Sequence, residues 1–395
     1  MNSIARLPGH RFLHSPGPSR VPDEVLHAMS RQPMDLADPR VDRCIAACEA
    51  GLKRLLHTEH DVFLYAANGH GAWEAVIANL VAPGAKVLVA GTGHFSESWA
   101  VQVEAMGGVV VRTPWVEGLP IAPADIEAAL RDDPAHEIVA VFVVHTDTAS
   151  GITSDLPALR AAIDCAGHPA LFVVDVVASL ATATFEMDAL RANVVLGACQ
   201  KGLMVPPGLG FVAVDAAAMA FSRRNPAPRY YWDWRLRQSE LSYRKFCGTP
   251  PQSLLAGLEA ALTLIFREGE AAVLARHRRL AAAVHAAVGR WSEGGALSFF
   301  GQVPASRSVS VTTVAVGPGI DPEAMRTVAR ERFQVAIAGG LGPLAGRAFR
   351  IGHLGDINAA MVLGCLAGVE AAMTVQGIAF GRGGVECAVA SLASG

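Results

Sequence analysis

The stretches Ala170-Leu-Phe-Val-Val-Asp175 and Asn193-Val-Val-Leu-Gly-Ala-Cys-Gln-Lys201-Gly202 are the strongest indication of how this chain folds. Each contains a short apolar run that leads to a charged residue, an aspartate in the first and a lysine in the second. Continuous apolar runs of this length are typical of strands that are buried on both faces of a parallel sheet. Because sites on such sheets form at the carboxyl ends of the strands, we expect Asp175 and Lys201 to share one edge.

This pair of residues predicts a site for pyridoxal 5'-phosphate (PLP). A lysine amine can form a Schiff base with the aldehyde of this cofactor, and a carboxylate can keep the pyridine nitrogen protonated so that the ring accepts electrons. Taken singly, Lys201 is more simply explained as a surface lysine and Asp175 as a strand-end aspartate. Their combination, with each residue after an apolar run, favours the cofactor site.

Five further apolar runs surround these two along the chain. The seven predicted strands lie within residues 62–65, 86–90, 108–112, 138–144, 171–174, 194–196 and 210–214. Helical segments separate them, and this alternation is typical of α/β proteins. The sequence therefore predicts a large α/β domain with a mainly parallel seven-stranded sheet flanked by helices.

The rest of the chain predicts a second, smaller domain. The 395 residues exceed the size of about 250–300 residues at which single cores stop growing. A long helical stretch begins near residue 251, and strands at 308–316 and 348–351 flank a helix at 322–332, which predicts an α+β arrangement. We expect an N-terminal arm (1–20), a large PLP-binding domain (21–265) and a small C-terminal domain (266–395), with no role assigned to the tail after Gly377.

Composition restricts the partners of the protein. Lys plus Arg total 33 against 36 for Asp plus Glu, without long blocks of one sign, so the sequence gives no basis for binding nucleic acid or an anionic membrane. No apolar run reaches the roughly 18 residues of a membrane span. The seven cysteines lack the paired spacings of metal sites and are expected to be reduced thiols. We therefore expect a cytoplasmic protein that binds small molecules and has no metal site.

Two glycine turns differ in what they predict. Asn68-Gly69-His70-Gly71 lies between a predicted strand and a predicted helix, where backbone amides and the helix dipole favour an anion such as phosphate. Such turns are common, so this signal is weak alone. Gly91-Thr-Gly-His-Phe95 lacks the third glycine of a dinucleotide fingerprint, which disfavours a nicotinamide site. Phe95 could lie against a cofactor ring or belong to the core, and the hydroxyls of Thr146-Asp-Thr-Ala-Ser150 could bind the cofactor or cap a turn.

Several phrases of the sequence resemble the class V, fold-type I PLP-dependent aminotransferases, and within them the serine–glyoxylate and alanine–glyoxylate branch. The resemblance extends from about residue 10 to about residue 375. The phrases that carry it are Ser15-Pro-Gly-Pro18, Ala67-Asn-Gly-His-Gly-Ala-Trp-Glu-Ala75, Asp147-Thr-Ala-Ser-Gly151, Val174-Asp-Val-Val-Ala-Ser179, Gln200-Lys-Gly-Leu-Met204, Cys247-Gly-Thr-Pro-Pro251 and Phe349-Arg-Ile-Gly-His353.

The resemblance implies a role for individual residues. Lys201 would carry the cofactor, Asp175 would hold the pyridine nitrogen, and Arg350 would bind the substrate α-carboxylate. The remaining cofactor contacts would come from Asn68, Gly69, His70, Phe95, Thr148, Val177, Gln200 and, from the neighbouring subunit, Thr249. Phe246 stands where the family often has tyrosine, so one phosphate hydrogen bond is expected to be missing unless Tyr243 supplies it.

The resemblance also implies an activity and an assembly. We expect amino transfer from L-serine or L-alanine to glyoxylate, giving hydroxypyruvate or pyruvate and glycine by a ping-pong mechanism, in a homodimer with shared active sites. Alternatives are a class V transaminase for pyridoxamine and pyruvate or for 2-aminoethylphosphonate, and a PLP-binding protein without turnover. The preferred donor is not decided by any residue of the sequence.

Overall fold

Three sheets organise the chain in the computed structural model, which describes residues 8–394. The strands are β1 (Phe12–His14), β2 (Asp61–Ala67), β3 (Lys86–Val89), β4 (Val109–Arg112), β5 (Ile138–Val144), β6 (Thr146–Asp147), β7 (Ile152–Thr153), β8 (Leu171–Asp175), β9 (Val194–Ala198), β10 (Gly208–Val214), β11 (Leu297–Phe299), β12 (Val311–Val316), β13 (Val335–Gly339) and β14 (Ala348–Gly352).

Helices cover both faces of the largest sheet and one side of the C-terminal sheet. They are α1 (Asp23–Met29), α2 (Pro39–Leu56), α3 (Gly69–Leu80), α4 (His94–Ala105), α5 (Pro123–Arg131), α6 (Leu156–Ala166), α7 (Met187–Leu190), α8 (Ala216–Arg224), α9 (Trp234–Arg237), α10 (Ser242–Lys245), α11 (Gln252–Glu268), α12 (Glu270–Ser292), α13 (Pro322–Arg332), α14 (Ala359–Val375) and α15 (Gly384–Ser394).

The largest sheet has seven strands in the order β2-β10-β9-β8-β5-β3-β4. Only the pairings of β10 with β2 and with β9 are antiparallel, and the other neighbours are parallel. The predicted α/β fold with a mainly parallel seven-stranded sheet is confirmed, and its seven strands coincide with the seven apolar runs. Asp175, the last residue of β8, lies in register between Val144 of β5 and Leu196 of β9.

Two hydrophobic clusters cover the faces of this sheet. Alternate residues of β8 point to opposite faces, so Phe172 and Val174 join the cluster with α2, α6 and α11, whereas Val173 joins the cluster with α3, α4 and α8. Burial on both faces explains why the strands lack a polar alternation and could be recognised as continuous apolar runs.

The five-stranded sheet has the order β1-β13-β14-β12-β11. Its first strand comes from the N-terminus, because Phe12–His14 pairs in parallel with β13. The predicted arm therefore contributes a strand to the C-terminal sheet, while its residues 1–7 lie outside the described part. The tail beyond Gly377 forms α15, which packs on α12, and the division of the chain at 265/266 falls within α11 and stays a prediction.

Among residues 8–394, no helix combines the length and apolar content that a bilayer crossing requires.

Candidate active site

A cavity of about 250 Å³ opens at the carboxyl ends of β5 and β8. It brings together nine of the residues predicted from the sequence, namely Asn68, Gly69, His70, Phe95, Thr148, Asp175, Val177, Gln200 and Lys201. Gly17, Pro18, Trp73, Val144, Thr146, Ala178 and Pro207 complete the lining. These residues come from six separate parts of the chain and meet because the strands of the sheet end at one edge.

Lys201 presents a buried amine to this cavity. Its Nζ donates a hydrogen bond of 2.6 Å to the carbonyl of Pro16. Burial lowers the pKa of Lys201 to about 8, and the charge of Arg350 acts in the same direction. Gly17, with φ of +149°, passes so close that a Cβ there would lie 2.3 Å from Nζ. The amine thus loses its proton far more easily than an exposed lysine.

Asp175 is a buried carboxylate with two donors. The indole Nε1 of Trp73 donates to Oδ2 at 2.7 Å, and the backbone N–H of Val177 donates to Oδ1 at 2.7 Å. Burial raises the pKa of Asp175 to about 6, although both hydrogen bonds and the charge of Lys201 oppose the rise. A carboxylate in such a place favours a cationic partner, as a protonated pyridine nitrogen would be.

The start of α3 faces the cavity through Asn68, Gly69 and His70. The Asn68 side chain caps the helix by accepting from the backbone N–H of Gly71 at 3.1 Å. Helix geometry leaves the first backbone N–H groups without intrahelical acceptors, and the helix dipole adds positive potential there. The first turn of α3 is therefore suited to a phosphate group.

Gln200 carries a polar atom that lacks a partner. Its buried Oε1 has no hydrogen-bond donor among the described residues, although Gln200 lines the cavity. An unpaired buried amide oxygen is costly, so a ligand with a hydrogen-bond donor fits this position. Together with an amine, a buried acid and a phosphate-sized turn, the cavity has the donor set that PLP requires.

Arg350 and Thr249 lie outside the cavity lining. Arg350 on β14 donates through Nε to the carbonyl of Gly339 at 2.6 Å and through Nη1 to the carbonyl of Thr148 at 2.9 Å. Burial lowers the pKa of Arg350 to about 10. Thr249 is exposed, away from the cavity of its own chain.

The position predicted to lack a tyrosine is apolar and closed. Phe246 is buried in the core of the large sheet, so its ring offers no hydrogen bond to a ligand. Tyr243 is exposed and does not line this cavity within one chain. That Tyr243 supplies the missing hydrogen bond to the phosphate stays a prediction.

Comparison with known proteins agrees with this geometry. Residues 11–345 match the protein family described as aminotransferase class-V. This chain belongs to the class V aminotransferases.

Relatives of known function cover nearly the whole class V chain. The serine–glyoxylate aminotransferase of Methylorubrum extorquens is 37% identical over 95% of this chain and 94% of its own. The L-aspartate–glyoxylate aminotransferase of Paracoccus denitrificans is 38% identical over 92% of this chain and 91% of its own. The crystal structure of ureidoglycine–glyoxylate aminotransferase from Bacillus subtilis superimposes with a TM-score of 0.88 at 26% identity, covering 98% of this chain and 99% of that one.

The predicted cofactor and fold type are confirmed by this membership: the protein is a fold-type I, PLP-dependent aminotransferase. When bound, PLP supplies an aldehyde that condenses with amines and a ring that accepts electrons. The class V chain itself supplies an amine with a lowered pKa at Lys201, a buried acid at Asp175 and, at Gly69, a helix start suited to an anion.

Two residues in or next to this class V site were not predicted from the sequence. Trp73 lies within a phrase that carries the family resemblance, yet its hydrogen bond to Asp175 joins residues 102 positions apart. Asp147 belongs to a turn in which only the hydroxyls were considered, and its carboxylate proves to be fully buried. A charged residue inside an otherwise apolar and hydroxyl-rich stretch was the available signal for Asp147.

Proposed function

We propose that this aminotransferase transfers the amino group of L-serine to glyoxylate, giving hydroxypyruvate and glycine, with L-alanine as a second donor that gives pyruvate. The observation that carries the proposal is the charge of the cavity of about 250 Å³ around the buried Lys201 amine, which must hold the cofactor as well as the donor. Lys201 is the only Lys or Arg among the described residues that line it. Such a site suits a donor with a small, uncharged side chain. The serine–glyoxylate relative supports the same choice.

In the proposed reaction, each residue has one task. Arg350 holds the α-carboxylate of the donor through Nη2 and the second N–H of Nη1, which its bonds to Gly339 and Thr148 leave available as two parallel donors. Lys201, with a pKa near 8, takes the proton from the donor's Cα as a neutral amine and returns it later as an acid. Glyoxylate receives the amino group in a second half-reaction after the first keto acid leaves, so the kinetics are ping-pong.

L-Aspartate is the second candidate donor, because one relative is named for it. Its additional carboxylate would need a second cation near the cavity. The other basic side chain of the described lining is His70, and burial lowers the pKa of His70, which disfavours its charged form. Apart from Lys201, the described lining of one chain offers this carboxylate no permanent cation, and Arg350, which lies outside the lining, is assigned to the α-carboxylate; both points support serine over aspartate.

Steady-state kinetics with purified holoenzyme and glyoxylate test the donor. We expect kcat/KM to be highest for L-serine, lower for L-alanine and at least about tenfold lower for L-aspartate, since an unpaired buried charge costs more than a lost hydroxyl contact. Pyruvate in place of glyoxylate, with pyridoxamine as donor, serves as the control reaction. A higher kcat/KM for aspartate than for serine would refute the serine assignment.

We further propose a homodimer in which Thr249 reaches the phosphate of the partner's cofactor. Large apolar side chains are exposed in the segment that precedes Thr249, with Tyr230 at 73%, Leu241 at 61% and Tyr243 at 58% exposure. Arg237 anchors this segment by lying 4.0 Å over the ring of Tyr65. A second copy would remove the apolar surface from water, as at other subunit interfaces.

Mixing two chains that each carry one substitution tests the shared site. In the proposed dimer, a Lys201→Ala chain paired with a Thr249→Ala chain has one site with both changes and one site with neither. We expect the mixed dimer, after refolding the variants together, to recover up to half of the wild-type turnover per dimer and wild-type cofactor affinity at one site. If light scattering verifies a dimer and turnover is not recovered, the active sites are not shared between subunits. A monomer with full activity would also exclude shared sites.

A further inference from the structure

The carboxylate of Asp147 lies between two segments that contribute residues to the cavity. Asp147 is fully buried at the end of β6, where the chain turns into β7. Its Oδ2 accepts from the backbone N–H of Phe95 at 2.8 Å, and its Oδ1 accepts from the backbone N–H groups of Ala149 at 2.8 Å and Ser150 at 3.2 Å. One side chain therefore joins the start of α4 to the β6–β7 turn.

On one side, this carboxylate fixes the start of α4. The helix begins at His94, so the N–H of Phe95 belongs to its first turn and has no acceptor within the helix. Gly93 approaches Oδ2 closely with φ of +142°, and a Cβ there would lie 3.1 Å from that oxygen. A negative charge at this helix end is favourable. Asp147 thus holds the backbone of Phe95, the residue whose ring lines the cavity.

On the other side, the β6–β7 turn, which Asp147 caps, forms hydrogen bonds with residues of the C-terminal sheet. Arg350 Nη1 donates to the carbonyl of Thr148 at 2.9 Å, and Thr313 Oγ1 of β12 donates to the carbonyl of Ala149 at 3.1 Å. The backbone N–H of Ser308 donates to the carbonyl of Gly151 at 2.9 Å. The carbonyls of Thr148 and Ala149 share their peptide planes with the N–H groups of Ala149 and Ser150, so their orientation depends on the two N–H groups that Asp147 binds.

From these contacts we propose that Asp147 is a positioning residue that sets both the Phe95 ring and the Arg350 guanidinium. The proposal rests on the roles proposed above for these two residues, the ring against the cofactor and the guanidinium at the substrate carboxylate. Asp147 itself does not line the cavity. Its effect on the reaction passes through its neighbours, with Thr148 as the link to Arg350.

The Asp147→Asn variant tests this role because it keeps the size of the side chain but turns an N–H group toward backbone donors. We expect KM for the donor and for glyoxylate to rise about 10- to 100-fold, the loss expected for hydrogen bonds to a charged group, while kcat falls less. The cofactor dissociation constant should also rise, measured by quenching of tryptophan fluorescence during PLP titration of the apoprotein. That titration needs no turnover, so it remains informative if the proposed donor is wrong.

A double-mutant cycle with Arg350→Gln separates positioning from general weakening. If Asp147 acts through Arg350, the double variant should have nearly the KM of Arg350→Gln alone. Additive effects on KM would overturn the link to Arg350. An unchanged cofactor dissociation constant in Asp147→Asn would overturn the link to Phe95.

Asp155→Asn is the matched control. Asp155 also caps a helix, accepting from the backbone N–H of Ala158 at 3.1 Å at the start of α6, but it does not contact the cavity. It should keep both KM values and the cofactor affinity within about twofold, since this bond lies on an exposed helix end. If Asp147→Asn does not fold, Thr313→Val tests only the contact between the β6–β7 turn and the C-terminal sheet. Removing its hydroxyl should raise KM without changing cofactor affinity, and an unchanged KM would overturn the proposal.

Discussion

Lys201→Ala is expected to lower kcat by about 10⁴-fold, the upper range for loss of a positioned general acid–base group. The same change removes the amine that we propose to carry the cofactor, so exchange of bound PLP against free PLP should become faster. Lys201 is buried, so its replacement by alanine removes an amine from the interior. We expect the variant to remain folded. The measurement is steady-state turnover with serine and glyoxylate, together with the visible spectrum of the bound cofactor.

Lys201→Arg and Lys245→Ala complete this experiment. Arginine keeps a cation but does not lose its proton near neutral pH, so it should be as inactive as alanine. Lys245 forms a partly buried ion pair with Glu49 at 2.8 Å and does not line the cavity, so its replacement should leave kcat within about twofold. More than a tenth of wild-type turnover in Lys201→Ala would refute the proposed proton transfer.

Asp175→Asn is expected to lower kcat/KM by on the order of 10²- to 10³-fold, the effect of breaking a buried charge pair. Asparagine keeps the shape of the side chain and an acceptor for the N–H of Val177, but it cannot hold the ring nitrogen in its protonated form. The visible spectrum and the rate of the first half-reaction, measured by stopped flow with serine, report this loss directly.

The same substitution should change the pH dependence of stability in the cofactor-free protein. The folded-state pKa of Asp175, about 6, exceeds the ordinary value near 3.8 because of burial. Its contribution to stability is therefore fully present below about pH 3.8 and is lost as the pH rises through 6. Urea unfolding of the apoprotein between pH 4.5 and 7 should show a smaller decline for Asp175→Asn than for the wild type. Asp155→Asn, at an exposed helix end, should keep the wild-type profile, and an identical profile for all three proteins would contradict the buried charge.

The seven strands and the positions of Asp175 and Lys201 could be predicted because they depend on local patterns. A strand covered on both faces is a continuous apolar run, and a site at its end follows from the direction of the chain. The glycine turn at Gly69 could also be predicted, since a helix start after a strand has a local sequence signature.

Contacts between distant parts of the chain could not be predicted. The hydrogen bond from Trp73 to Asp175, the one from Arg350 to Thr148 and the pairing of β1 with β13 each join segments that no periodicity connects. Asp147 shows the same limit, because a carboxylate among hydroxyls in a turn usually caps that turn. Its second set of contacts, to the start of α4, exists only in the folded chain.

We propose that Lys201 is the lysine that carries the cofactor. The sequence contains four lysines, Lys53, Lys86, Lys201 and Lys245, and the other three lie at the surface with polar partners. Borohydride reduction of the holoenzyme would fix PLP covalently to the lysine that bears it, and peptide mass spectrometry would locate the added group. We predict the label on Lys201 alone, in stoichiometric yield. Label on any of the other three lysines with Lys201 unmodified would contradict the account.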